Sequence, residues 1–265
     1  MVPRLYVPLL GASDRTIDLP DDEAGHLRRV LRVKAGAAIR LFDGRGREVA
    51  ARVAAVLPDR VVAEIGDPVD AAPEWGVRVT LAQAVLKGDK IDEVIRDAVM
   101  MGVSAMQLLV TARTEVPAPA WSRGRRLERW QRIAVSSAKQ CGRAVVPAVL
   151  APAPLGDVLA AAEPSAAKLM LVEPSAARAG SGTALPAEAP AAAVVLVGPE
   201  GGWSADEIAL AMASGCVPLS LGPRTLRADA AAVVALSVMQ YAWRLGTRDQ
   251  ALGASQNLGS GISGQ

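Results

Sequence analysis

Two glycine-bearing stretches near the carboxyl end carry the residue types best suited to a small-molecule site. The first reads Gly198-Pro199-Glu200-Gly201-Gly202 and the second Leu221-Gly222-Pro223-Arg224-Thr225-Leu226-Arg227, followed by Ala228-Asp229-Ala230. Adjacent glycines let backbone amides approach a ligand that a Cβ would hold away. Each stretch follows a short apolar run and precedes a helical pattern. Strand, glycine loop and helix, twice over, is the order that puts a ligand at the carboxyl ends of parallel strands. The plainer alternative is a pair of tight strand-to-helix turns, and spacing alone leaves both open.

The flanking elements are well marked. Ala193 to Val197 is a β-branched run short enough for a strand buried on both faces. Ser204 and Glu207 have capping-box spacing, and Trp203 with Ile208 has that of a hydrophobic staple. Gly215 stands where a helix would stop on a left-handed residue. A strand over Val217 to Leu221 then leads to the second loop and an alanine-rich last helix, Ala230 to Trp243. No Gly-x-x-x-x-Gly-Lys-Ser/Thr occurs, and no Gly-x-Gly-x-x-Gly follows a strand, which argues against P-loop and dinucleotide sites.

The 265 residues suffice for one large domain or two smaller ones. Aromatics are scarce, so the core must be built from Ala, Val and Leu. Cys141 and Cys216 are too few and too far apart in sequence for a disulfide framework or a metal site. The amino terminus does not read as a signal peptide, and no apolar run reaches the roughly 20 residues a bilayer demands. A soluble cytoplasmic protein without metal is the expectation. Net charge is +2 but uneven: residues 73–150 hold 12 basic and 7 acidic side chains, residues 151–265 hold 6 and 9. A local basic surface is what nucleic-acid binding needs, although any one charge run is also consistent with a solvated helix face.

From the amino end, residues 1–72 read as a small β-rich domain. Strands are expected at Leu5 to Val7, Ala37 to Phe42, Glu48 to Val56 and Val61 to Ile65, with a hairpin turn at Asp43-Gly44-Arg45-Gly46. A helix near Asp22 to Leu31 carries Arg28 and Arg29, with Arg32 just beyond it and His26, the sole histidine, close by. Residues 73–246 form the second domain. Val77 to Leu81 and Ser104 to Thr111 are strands around a helix opened by Asp89, whose Ile91, Val94, Ile95, Ala98 and Val99 share one face. Trp121 to Arg143 is a helix that buries Leu127, Trp130, Ile133 and Ala134 and exposes Arg125, Arg126, Arg129 and Arg132. Strand Val145 to Leu150, helix Leu155 to Ala162 and strand Lys168 to Val172 continue the alternation. Glu173 to Ala192 reads as a mobile surface loop and residues 247–265 as a disordered tail.

The paired loops resemble the bacterial 16S ribosomal RNA uracil-N3 methyltransferase family, of the SPOUT or α/β-knot class. His26-Leu27-Arg28-Arg29-Val30-Leu31-Arg32 is similar to that family's amino-terminal signature. Lys87-Gly88-Asp89-Lys90 and Gln140-Cys141-Gly142-Arg143 resemble its first strand-to-helix segment and central helix. Four places depart from it: Met100 and Lys139 stand where Glu is usual, Cys141 where Ser is, and Ala228-Asp229-Ala230 where Thr-Glu-Thr is.

The resemblance implies an α/β fold, a trefoil-knotted parallel-sheet methyltransferase domain preceded by a PUA-like β-barrel, working as a homodimer. It implies S-adenosylmethionine bound between the loops. The adenine would sit at main-chain groups around Leu219, Leu221, Gly222 and Leu226, the methionine end near Gly198, Glu200, Gly201 and Gly202, with Leu171 and Glu173 lining the pocket. Arg28, Arg29 and Arg32, with Arg125, Arg126 and Arg129, would hold ribosomal RNA of the small subunit by its phosphates. Arg224 or Arg227 would stabilise charge spreading over uracil oxygens, because arginine stays protonated and is no base. The proton acceptor stays open between Asp229, Glu200 and water. So do two rival functions, a non-catalytic RNA-binding assembly factor and a methyltransferase of this class with another RNA target.

Overall fold

The computed structural model describes residues 2–115, 125–174 and 185–257, without side chains over 244–257. It divides into two compact units, Met1–Glu74 with Arg132–Pro147, and Trp75–Gln131 with Ala148–Gln265.

The first unit holds a five-stranded sheet in the order β1-β3-β4-β5-β2. Its strands are β1 (Arg4–Tyr6), β2 (Thr16–Asp18), β3 (Ala38–Phe42), β4 (Glu48–Val56) and β5 (Val61–Pro68). β3, β4 and β5 pair antiparallel, and two register shifts between β4 and β5 bend the sheet. Helix α1 (Asp21–His26) runs directly into a π-helical turn, Leu27–Leu31, which ends on left-handed Arg32. Leu5, Leu27, Leu41, Val53 and Val61 form the centre of the core.

Arg132–Pro147 belongs to this unit because buried polar side chains tie it there. Arg4 grips the buried carboxylate of Glu48 at 2.7 and 3.0 Å and donates to the carbonyls of Ala138, Lys139 and Arg143. Lys139 meets both oxygens of Glu23, and Arg143 those of Glu74. Arg143, which closes the Gln140 to Arg143 signature, therefore serves packing.

The second unit is built on a six-stranded, all-parallel sheet in the order β11-β9-β10-β6-β7-β8. The strands are β6 (Arg78–Ala84), β7 (Ala105–Val110), β8 (Ala148–Pro154), β9 (Ala167–Leu171), β10 (Ala192–Val197) and β11 (Val217–Leu219). Every residue of β10 is buried, as a central strand covered on both faces requires. The helices are α2 (Lys90–Met100), α3 (Arg125–Cys141, whose residues from Arg132 onward belong to the first unit), α4 (Leu155–Ala161), α5 (Ala205–Ala213) and α6 (Ala228–Asn257). α2 buries the five residues its sequence assigns to one face. α6 lies against it, Gln240 donating to the carbonyl of Met101 at 2.7 Å.

Some elements differ from expectation. β8 begins three residues later than Val145 and runs through Pro152 and Pro154, which an edge strand tolerates because its outer N–H groups need no partner. In α3 Trp130 and Ala134 are buried, while Leu127 and Ile133 are only half covered. The expected helix residues 121–124, half of the Glu173 to Ala192 loop (175–184) and the tail beyond 257 lie outside the described residues. Residues 247–257 of the expected tail continue α6.

Candidate active site

The carboxyl ends of β9, β10 and β11 open on a cleft of about 500 Å³. Three segments form its walls: Leu171 to Pro174 after β9, Val197 to Trp203 after β10, and the stretch from Leu219 to Ala231 that leads into α6.

The first glycine loop is held by its neighbours. Ser204 and Glu207 make the expected capping box, at 3.2 and 2.8 Å. Trp203 lies beneath the loop, its Nε1 donating to the Leu171 carbonyl at 2.8 Å. A Cβ on Gly198 would come within 3.1 to 3.3 Å of that indole. Gly202 has φ +68°, a conformation that costs any other L-residue about 1–2 kcal/mol. Arg113, from the loop after β7, donates to the Gly201 carbonyl at 2.8 Å. The Ala112 amide bonds Glu207 at 2.7 Å, so the β7 exit loop and the first glycine loop are fastened at two points.

Charged groups line the opening. Lys90 Nζ lies 2.7 Å from Glu200 Oε1, which also accepts from the Lys87 amide at 3.3 Å. Burial works to raise the Glu200 pKa, but the hydrogen bonds from Lys90 and from backbone amides outweigh it and hold the carboxyl below its ordinary range. Arg227 closes a two-point pair on Asp229, 3.1 Å from Nε to Oδ1 and 2.6 Å from Nη2 to Oδ2. That hydrogen-bonded pair lowers the Asp229 pKa and raises that of Arg227. Both carboxylates are thus poor proton acceptors. Arg224 has no hydrogen-bond or ion-pair partner among the described residues and is exposed at the cleft.

Most sequence candidates meet here. Leu171, Glu173, Gly198, Glu200, Gly202, Leu219, Leu221, Arg224, Leu226, Arg227 and Asp229 all line the cleft. Gly201 and Gly222 do not: Gly201 turns its α-carbon toward Arg113, and Gly222 takes φ +117° to turn the second loop. The other arginine candidates behave unequally. Arg28 is turned inward onto the carbonyls of Leu57 and Pro58, whereas Arg29 and Arg32 are exposed. Arg129 pairs with Asp92 and Asp89, and Arg126 lies 5.7 Å over the Trp130 ring, leaving Arg125 exposed. Lys90, Arg113, Trp203 and Thr225 also line the cleft and were not sequence candidates for it. Capping-box and staple signals had marked Trp203 as structural, and nothing in sequence links Arg113 to a loop 88 residues away.

The model of an RNA methyltransferase domain matches residues 73–240, and that of an RNA methyltransferase PUA domain matches residues 19–66. The chain belongs to this RNA methyltransferase family. Among its relatives, the ribosomal RNA small subunit methyltransferase E of Synechocystis is 35% identical over 238 residues, covering 89% of this chain and 77% of that one. The Neisseria gonorrhoeae protein of the same name, solved bound to S-adenosyl methionine, superposes with a TM-score of 0.83 at 34% identity, covering 92% and 98% of the two chains. A Legionella pneumophila methyltransferase, solved in complex with the cofactor SAM, gives 0.82 at 31% identity, covering 91% and 98%. In this RNA methyltransferase the three strands whose ends open on the cleft are neighbours in the sheet, β11-β9-β10. Among its described residues no cluster of His, Cys, Asp and Glu could hold a metal ion, and no helix is long and apolar enough to cross a membrane.

Proposed function

We propose that the chain transfers a methyl group from S-adenosylmethionine to N3 of a uridine in 16S ribosomal RNA of the small ribosomal subunit, in the cytoplasm and as a homodimer. The observation that carries this reading is the cleft where both glycine loops meet the end of β9, in a chain whose solved relatives of like shape hold this cofactor.

The residues present fit that cofactor. Leu219, Leu221 and Leu226 offer apolar cover for an adenine, and Gly198 and Gly202 bring bare backbone to the lining. Glu173 and Glu200 are acceptors at the other end. When bound there, S-adenosylmethionine supplies an electrophilic methyl on a sulfonium.

The chain's own work is to present a uracil in line and help N3 shed its proton, since the neutral imide is a poor nucleophile. Asp229 and Glu200 are held ionised and weakly basic by their cationic partners. Asp229 therefore aims Arg227, and Arg227 with the unpartnered Arg224 stabilises the negative charge that spreads over the uracil oxygens. The proton leaves to water. Support for the dimer comes from α6, where Val234, Val238 and Tyr241 are exposed at helical spacing on one face.

The test is methyl transfer from labelled S-adenosylmethionine to small subunits that lack the modification, with the modified nucleotide mapped. Label appearing on another position, or none at all, would refute the assignment.

A further inference from the structure

Three carboxylates line the cleft, and their surroundings set one apart. Glu200 is bonded to Lys90 Nζ at 2.7 Å, and Asp229 is held at two points by Arg227. Glu173 has no hydrogen-bond or ion-pair partner among the described residues and is exposed at the cleft. Of the cations that line the cleft, Lys90 and Arg227 are neutralised by those pairs, while Arg113 donates to the Gly201 carbonyl and Arg224 is unpartnered, so both keep their full charge. A positively charged ligand entering here meets one uncompensated negative group, Glu173.

Sheet order gives that group its place. β9 lies between β11 and β10, so its end comes out between the two glycine-bearing loops. Glu173 stands just beyond Leu171, the last residue of β9. Its Oε1 reaches over the first loop, 3.2 Å from where a Cβ on Gly202 would stand. In a cofactor whose adenine lies against Leu219, Leu221 and Leu226 and whose methionine chain lies along the first loop, the sulfur is the atom that joins the two parts. Its place is the middle of the cleft, at the end of β9.

We propose that the Glu173 carboxylate selects the sulfonium of S-adenosylmethionine over the neutral thioether that remains after methyl transfer. In the transfer the methyl carbon bonds to N3, the proton of N3 goes to water, and the electron pair of the broken carbon–sulfur bond stays on sulfur. The ligands before and after therefore differ by one methyl and one positive charge. The leucines that cover the adenine hold both alike. A free carboxylate beside the sulfur distinguishes them, because it attracts the cation and has no comparable hold on a neutral sulfur. Glu200 and Asp229 are unsuited to this, since each already faces a cation of the protein. Specificity is a difference of two affinities, and here a single charge sets it: the fresh cofactor is held and the spent one is released.

This role rests on the proposed use of S-adenosylmethionine, and calorimetry separates the two. Affinities for S-adenosylmethionine, S-adenosylhomocysteine and sinefungin, in which a protonated amine carries the charge in place of the sulfonium, are measured for the wild type and Glu173→Gln. The glutamine keeps the shape of the side chain and removes its charge. It is expected to weaken S-adenosylmethionine and sinefungin roughly fivefold and to leave S-adenosylhomocysteine unchanged. In the wild type the preference for the two cations should shrink as salt is raised, and in the variant it should stay flat. An equal loss for all three ligands would overturn the role, because the carboxylate would then meet a group they share, such as the methionine ammonium. No loss for any of them would overturn it as well. A wild type that binds none of the three would overturn the functional reading itself.

Discussion

Arg227 and Asp229 face each other two residues apart at the start of α6, joined by two hydrogen bonds, with the guanidinium side 71% exposed and the carboxylate 15%. The pairing makes Asp229 a positioning group for Arg227. Aspartate has a short reach, and here the arginine comes to meet it. Arg227→Ala should lower kcat by about 10²- to 10³-fold, as loss of a single donor to a developing oxyanion does elsewhere, while leaving cofactor affinity intact. Arg227→Lys should recover little, because an ammonium cannot span both carboxylate oxygens and still present a planar face. Titration calorimetry with S-adenosylmethionine beside single-turnover methylation checks both.

The pH profile tests Asp229 itself. Its carboxyl ionises below its ordinary value, so it is charged throughout the neutral range and its protonation cannot set the rate there. Asp229→Asn should reduce kcat but leave the shape of the profile between about pH 6 and 9 unchanged. Loss of a rising limb in the variant would make Asp229 the base after all.

Stability should respond at acid pH. Glu200 and Asp229 both have folded-state pKa values below their ordinary ones, so each contributes stability above the unfolded value that disappears as pH falls through the folded value. The wild type should therefore lose stability from about pH 4.5 downward, and Glu200→Gln/Asp229→Asn should lose less over that window. Thermal midpoints at a series of pH values measure the difference.

Much of this arrangement could be read from the sequence, and the reasons differ from element to element. The face of α2 and the capping box at Ser204 were legible because both are local patterns within a few residues. β2 was not, since three residues with an exposed, half-buried, exposed pattern carry no period to detect. The cleft's glycines and leucines were found through the loops they sit in. Arg113 was invisible because its role arises only when β7 and β10 exit at the same end of the sheet. Arginine counts overstate the free basic groups for the same reason: Arg28 and Arg129 find carbonyl or carboxylate partners 29 to 40 residues away.

The floor of the cleft should be sensitive to small changes. In Gly198→Ala the new methyl meets the Trp203 indole at 3.1 to 3.3 Å, so the ring must shift and its bond to the Leu171 carbonyl must lengthen. Trp203→Phe keeps most of the packing but strands that buried carbonyl, at a cost of about 1–3 kcal/mol. Both variants should bind S-adenosylmethionine more weakly and melt earlier. Arg113→Ala, which frees the Gly201 carbonyl at the surface, should weaken cofactor binding with little change in melting temperature.

Lys139 is one half of a largely buried ion pair in the first unit. Its ammonium is bonded to both oxygens of Glu23, at 2.7 and 2.8 Å, and that carboxylate is only 5% exposed and also accepts the Tyr6 amide at 3.1 Å. Lys139→Glu would place a second carboxylate against a buried one, so a loss of about 3–5 kcal/mol is expected, the range for breaking a buried pair. Glu23→Lys alone should be as harmful, since it leaves two ammonium groups facing and the Tyr6 amide without its acceptor. Combining them restores the attraction with its polarity reversed but not the Tyr6 bond. Chemical denaturation of the double variant should thus show partial rescue, short of the wild type by about the 1–3 kcal/mol of one unmet buried donor. Strictly additive losses would mean that the two side chains do not interact.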